Sequence, residues 1–182
     1  REQSRSFSTL EGYYSYPFER SVIAGTTTER LTALLVSPGL FRLLGVQPAL
    51  GRLFVESDGQ DNSPPIVLVS HAYWQRHFAG EKELGLRTIT VDGEPCTVVG
   101  VMPPDFHFPP ASDLWVPLRP RNLGPRRYNN LLVLGRLKDG VSLAAAQSDV
   151  DVISARLQQA YPDTHRVKSL LLTPLQGAIS EA

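Results

Sequence analysis

One cysteine, one methionine and two tryptophans in 182 residues leave little for thiol chemistry to use. Cys96 has no second thiol to pair with and stands in no zinc or redox spacing. Charge of one sign is also missing. The 18 Lys plus Arg balance 18 Asp plus Glu, whereas a broad nucleic-acid footprint needs a basic excess. Long apolar runs are absent as well: Leu34-Leu35-Val36, Ile66-Val67-Leu68-Val69 and Leu170-Leu171-Leu172 fall far short of the ~20 residues that cross a bilayer. The sequence lacks Gly-x-Ser-x-Gly, a phosphate loop ending in Gly-Lys-Ser/Thr, His-Glu-x-x-His, and a dinucleotide glycine pattern after a strand. It begins at Arg1 without a charged-then-apolar targeting pattern, which reads as a segment of a longer protein.

What is present is a globular composition, 42% hydrophobic and 20% charged, in a chain long enough to bury roughly 70% of its unfolded surface. Tyr14-Ser15-Tyr16-Pro17-Phe18 suits an edge strand or its start, and Arg30 to Val36 a second strand after the turn at Gly25-Thr26-Thr27-Thr28. Ser37, Pro38 and Gly45 punctuate a short helix with Leu40, Phe41 and Leu44 on one face. Residues 46 to 65, rich in Pro and Gly, read as a mobile loop. Ile66 to Val69 is a buried strand, and Ser70 caps a helix running to Phe78. Asp92-Gly93 joins two strands in a hairpin whose register sets Ile89 opposite Cys96, so the thiol packs as a small apolar group. Leu114 to Leu118 and Asn130 to Leu137 are further strands, and Val167 to Leu172 a last one. Between Ser142 and Pro162, Leu143, Ala146, Val150, Ile153, Leu157 and Ala160 recur at helical spacing, with Leu157 central in the apolar stripe. Mixed strands and helices, with hairpins in the middle, give an α+β fold.

Two groupings carry possible chemistry. Asp105, His107 and Asp113 are the one carboxylate and imidazole cluster and could serve an acid/base or hydrolytic site, or simply close a proline-rich loop. Arg119, Arg121, Arg126 and Arg127 form a local cationic patch that could meet a partner or lipid headgroups, or pair with the domain's own carboxylates. His71 and His77 are six apart and share no helix face, a poor metal pair. Trp74 and Trp115 sit at apolar positions of regular elements and read as core. Nothing in these patterns implies a cofactor.

Several strings taken together resemble a family. Leu35-Val36-Ser37-Pro38-Gly39-Leu40-Phe41-Arg42-Leu43-Leu44-Gly45-Val46-Gln47-Pro48-Ala49-Leu50-Gly51-Arg52-Leu53-Phe54 resembles the opening of the periplasmic core domain of MacB-type, FtsX-like ABC transporter permeases. Val69-Ser70-His71-Ala72-Tyr73-Trp74, Val98-Val99-Gly100-Val101-Met102-Pro103, Asp113-Leu114-Trp115-Val116-Pro117-Leu118 and Gly135-Arg136-Leu137-Lys138-Asp139-Gly140-Val141-Ser142 continue it in order over nearly the whole chain. It is similar in flavour to the bacterial duplicated permeases. The resemblance implies a periplasmic domain hung between two transmembrane helices, without catalytic residues, acting in efflux or other transport through a cytoplasmic ATPase, with a second permease copy or a periplasmic adaptor as further partners. It implies a porter-like strand/helix lobe, mapped to residues 1–50 and 120–182, and an inserted mostly-β lobe, mapped to 51–119. A secreted hydrolase using Asp105, His107 and Asp113, or a ligand-binding module, is the alternative.

Overall fold

In the computed structural model, residues 4–79, 81, 83–106, 112–123, 131–162 and 170–175 are described. Nine strands and three α-helices are assigned among them: β1 (Phe7–Tyr14), β2 (Phe18–Ala24), β3 (Thr27–Val36), α1 (Leu40–Leu43), β4 (Leu50–Gly51), β5 (Ile66–Val69), α2 (His71–Phe78), β6 (Arg87–Val91), β7 (Glu94–Val101), β8 (Leu114–Pro117), β9 (Leu131–Leu137) and α3 (Leu143–Ala160). This is the expected α+β content. The chain divides into two compact units, one of Glu11–Leu123 with Asn130–Leu132, the other of Arg1–Leu10, Gly124–Asn129 and Val133–Ala182.

In the larger unit six strands close on themselves. β2 pairs with β6, β6 with β7, β7 with β5, β5 with β8, β8 with β3, and β3 returns to β2. Closure removes the exposed edges that an open sheet must protect. Val22, Leu31, Ala33, Val67, Val69, Ile89, Val91, Cys96, Val98, Val101 and Leu114 form one buried cluster with Tyr73 and Trp74 of α2. β5 and β8 are covered on both faces, which is why Ile66-Val67-Leu68-Val69 and Leu114-Trp115-Val116-Pro117 read as apolar runs instead of alternating. Across β8 from Leu114, Trp115 meets Phe41 and Phe106 in edge-to-face contacts at 5.9 and 5.7 Å, and Phe54 lies 6.3 Å from Phe41.

Local chemistry fixes the joints. Ser70 accepts a hydrogen bond from the Tyr73 N–H and starts α2. Asp92 takes a positive φ of 50° at the β6–β7 turn, and Ile89 stands opposite Cys96 as the hairpin register requires. Asp92 also accepts from Ser21 N–H and the Arg20 guanidinium, fastening that turn to β2. Gly100 cannot be replaced cheaply, because a Cβ there would lie 2.4 Å from the Arg52 carbonyl oxygen.

The smaller unit contains the first part of β1, most of β9, and α3. The Ser8 hydroxyl donates to the Arg136 carbonyl, and Lys138 N–H to that of Ser6. A side chain at Gly135 would collide with the Phe7 ring, since its Cβ would stand 2.5 Å away. Ser142 caps α3 by accepting from Ala145 N–H.

Four readings need correction. Tyr14 to Phe18 is not itself a strand but the corner leading to the start of β2 at Phe18, because Pro17 has no N–H for a ladder. Residues 46–65 are built rather than loose: β4 pairs with β7, Glu56–Gly59 forms a 3-10 turn, and Asp58 is buried. The fully buried line of α3 is Ala146, Val150 and Ser154, and Leu157 is half-buried, so it is not the stripe's centre. Residues 170–172 are not in a strand, and 167–169 lie outside the described residues. β2 and β3 are hydrogen-bonded to β6 and β8, which places residues 18–36 in the same closed sheet as 87–117.

Candidate functional site

Of the suspected acid/base cluster, Asp113 stands at the start of β8, where a single carboxylate oxygen is committed to β3. Its Oδ2 accepts the Thr32 N–H at 3.1 Å and the Thr32 hydroxyl at 2.9 Å, and its own N–H donates to the Thr32 carbonyl at 2.9 Å. Its carbonyl takes the Ser70 N–H at the start of α2, so Asp113 aligns three elements. Asp105 lies elsewhere, at an open depression of about 410 Å³ shared with Val46, Gln47, Pro103 and Phe106. His107 lies outside the described residues. Among the described residues no three His, Cys, Asp or Glu side chains gather to hold a metal ion.

The arginine patch is also divided. Arg119 is 4% exposed, its side chain turned inward. Its Nε donates to the Asp58 carbonyl at 3.2 Å and its Nη2 to that of Pro64 at 2.7 Å, tying the 52–64 segment to the end of β8. Burial, and after it the Arg121 charge, lowers the Arg119 pKa. The Asp58 carboxylate pairs with Arg52 at 2.7 Å and accepts the Val55 N–H at 2.8 Å. Arg121 is exposed, with its N–H on Asp61. Arg126 and Arg127 lie outside the described residues.

Four carboxylates escaped the sequence reading, Asp58 and three more. Glu11 is 2% exposed and accepts a hydrogen bond from the Ser37 hydroxyl, which itself accepts the Gly12 N–H. Gly39 makes room for it: a Cβ there would be 2.4 Å from Glu11 Oε1. Glu29 on β3 pairs with His77 and, at 3.7 Å, with Arg76, both on α2. Asp149 on α3 receives the Ser4 hydroxyl and the N–H groups of Arg5 and Ser6. Only Asp58 carried a local signal, an acidic residue three positions after the N–H it caps.

Cys96 has no reactive setting. Burial, with the Glu94 charge adding to it, pushes its thiol up to about 11. The folded thiol keeps its proton while the unfolded one ionises near ~8.5, so stability declines as pH rises through that value. At pH 8 an alkylating reagent should modify the folded chain roughly a hundredfold more slowly than the urea-unfolded chain. Equal rates would mean that the closed sheet is open to solvent.

The arrangement is therefore a scaffold of buried polar ties with no assembled catalytic group among the described residues. Its fold has counterparts. The periplasmic region of MacB from Actinobacillus actinomycetemcomitans superposes with a TM-score of 0.70 at 16% identity, over 100% of this chain and 79% of that one. The extracellular domain of the noncanonic ABC-type transporter YknZ from Gram-positive bacteria gives 0.65 at 14% identity, over 93% of this chain and 84% of that one. A permease-protein domain from Porphyromonas gingivalis gives 0.63 at 14%, over 99% and 81%. No curated protein matches the sequence. The sequence profile of the MacB-like periplasmic core domain matches residues 2–153, most of the chain, and the chain belongs to that family.

Proposed function

We propose that this periplasmic core domain is a non-catalytic coupling module of an ABC transporter permease, passing conformational change between flanking transmembrane helices and the extracytoplasmic side during transport or efflux. The family match over residues 2–153 carries the reading. The engagement of Asp113 with Thr32 supports it against the hydrolase alternative, since one oxygen of that carboxylate holds β8 to β3. ATP hydrolysis falls to a cytoplasmic ATPase acting through the membrane helices. A second permease copy or a periplasmic adaptor is the proposed outer partner. Of the basic loop, Arg121 with Arg126 and Arg127 is the part proposed to make such contact.

A transport module of this kind has no use for nucleotide of its own. Exposed arginines without a glycine loop aiming backbone donors at phosphate give salt-screened contact at most. Calorimetry of the 182-residue chain with magnesium and ATP at about 0.15 M salt should therefore show no stoichiometric heat. Tight binding that survives added salt, or a pH-dependent hydrolytic activity lost in Asp113→Asn without loss of fold, would contradict the reading.

A further inference from the structure

Residues 4–6 are fastened to α3 by the Asp149 side chain. Asp149 Oδ2 accepts the Ser4 hydroxyl at 2.9 Å, the Arg5 N–H at 2.9 Å and the Ser6 N–H at 3.1 Å. Three donors converge on one carboxylate oxygen, and a charged acceptor makes each bond stronger than a neutral one would. The Ser4 hydroxyl, against the opposing effect of burial and with help from Ser6 and Arg5, holds the carboxyl below the usual carboxylate range. Ser6 is 7% exposed, and its carbonyl accepts Lys138 N–H just after β9, so the segment is tied at its next step too. Nothing local demands this. Asp149 is 145 positions from Ser4 and lies between the buried Ala146 and Val150 without belonging to the apolar face. An aspartate placed only for solubility would project into solvent; this one reads three consecutive residues of another segment.

We propose that Asp149 is a latch that makes residues 4–6 and α3 move as one mechanical body, so that a pull on the leading segment is delivered to α3 and not dissipated in a fraying strand end. The proposal rests on the coupling reading above, in which a membrane helix precedes the domain. Asp149 is a positioning residue: it touches no substrate and acts through the segment it holds. Without it, residues 4–6 would open locally while the rest of the unit stays folded.

The test is hydrogen exchange on the full-length protein, pulse-labelled in inverted membrane vesicles of its own cells with and without magnesium-ATP, then purified and digested. Wild type, Asp149→Asn, Asp149→Ala and Ser4→Ala are compared. In Asp149→Ala the Arg5 and Ser6 amides should exchange at least about tenfold faster, while amides of β5 and β7 keep their protection. Nucleotide should still alter exchange in the leading segment, but the response of α3 should be lost. Asp149→Asn, which keeps an oxygen acceptor, and Ser4→Ala, which removes one donor of three, should be intermediate. An α3 response in Asp149→Ala equal to wild type would overturn the latch. A wild-type protein in which nucleotide changes neither segment would instead overturn the transporter reading, while fast Arg5 and Ser6 exchange in the variant would still establish the tie.

Discussion

Trp115→Ala should destabilise the chain by about 3–5 kcal/mol, the range for removing a buried large aromatic side chain. Trp115 is 2% exposed and stands in register with Leu34 of β3 on one side and Leu68 of β5 on the other, both themselves buried. Its ring also contacts Phe41 of α1 and Phe106. Truncation leaves a void bounded by three strands whose hydrogen bonds prevent collapse, so the cavity cost adds to the lost transfer energy. Trp115→Phe is the control. It keeps a ring and removes an indole N–H that is buried with no acceptor among the described residues, so it should recover most of the loss. Urea unfolding followed by far-ultraviolet circular dichroism decides the matter, and a loss below about 1 kcal/mol for the alanine variant would mean that the ring is not in the core.

Arg119→Ala should cost about 3 kcal/mol, because two hydrogen bonds from a charged donor, each worth roughly 1.5–3, are lost and two carbonyls are orphaned. Its second effect is positional. The carbonyls it holds, on Asp58 and Pro64, belong to the 3-10 turn and to the residues leading into β5. Limited proteolysis of the wild type should spare 56–65, whereas the variant should be cut there first, since cleavage needs local opening of the backbone. Early cleavage of both chains alike would mean that the segment is free in spite of Arg119.

These two residues show where sequence reading works and where it stops. Trp115 was legible as core because its signal is local: an apolar run bounded by prolines. The same holds for the Ser70 cap of α2, the helical spacing of α3 after Ser142 and the Asp92-Gly93 turn, each set by chemistry within a few positions. Arg119 was illegible because its partners stand 61 and 55 positions away, so it read as one of four surface cations. The loop at 46–65 was misread for the same reason, since proline and glycine announce irregular backbone but not whether a distant arginine holds it. β1 was missed because Glu11 breaks its apolar pattern, and partners distant in sequence, the Ser37 hydroxyl among them, make a buried carboxylate tolerable there. The parallel pairing of β3 with β8 is a long-range match that neither strand's composition encodes. Of the candidate site, the family strings placed the chain correctly, while Asp113 and Asp105 stand in different surroundings, the first on Thr32 and the second beside Phe106.

The central claim is that this domain stands outside the cytoplasmic membrane, hung on the helices of a permease. It is tested most directly in living cells with the full-length protein carrying Glu19→Cys. Glu19 is exposed, its side chain 70% accessible, in a surface ion pair with Arg30 whose loss costs about 1 kcal/mol or less. Cys96 stays silent because it is buried. A membrane-impermeant maleimide that passes the outer envelope should label the introduced thiol in intact cells as fully as after lysis; labelling that appears only once the cytoplasmic membrane has been opened would contradict the account.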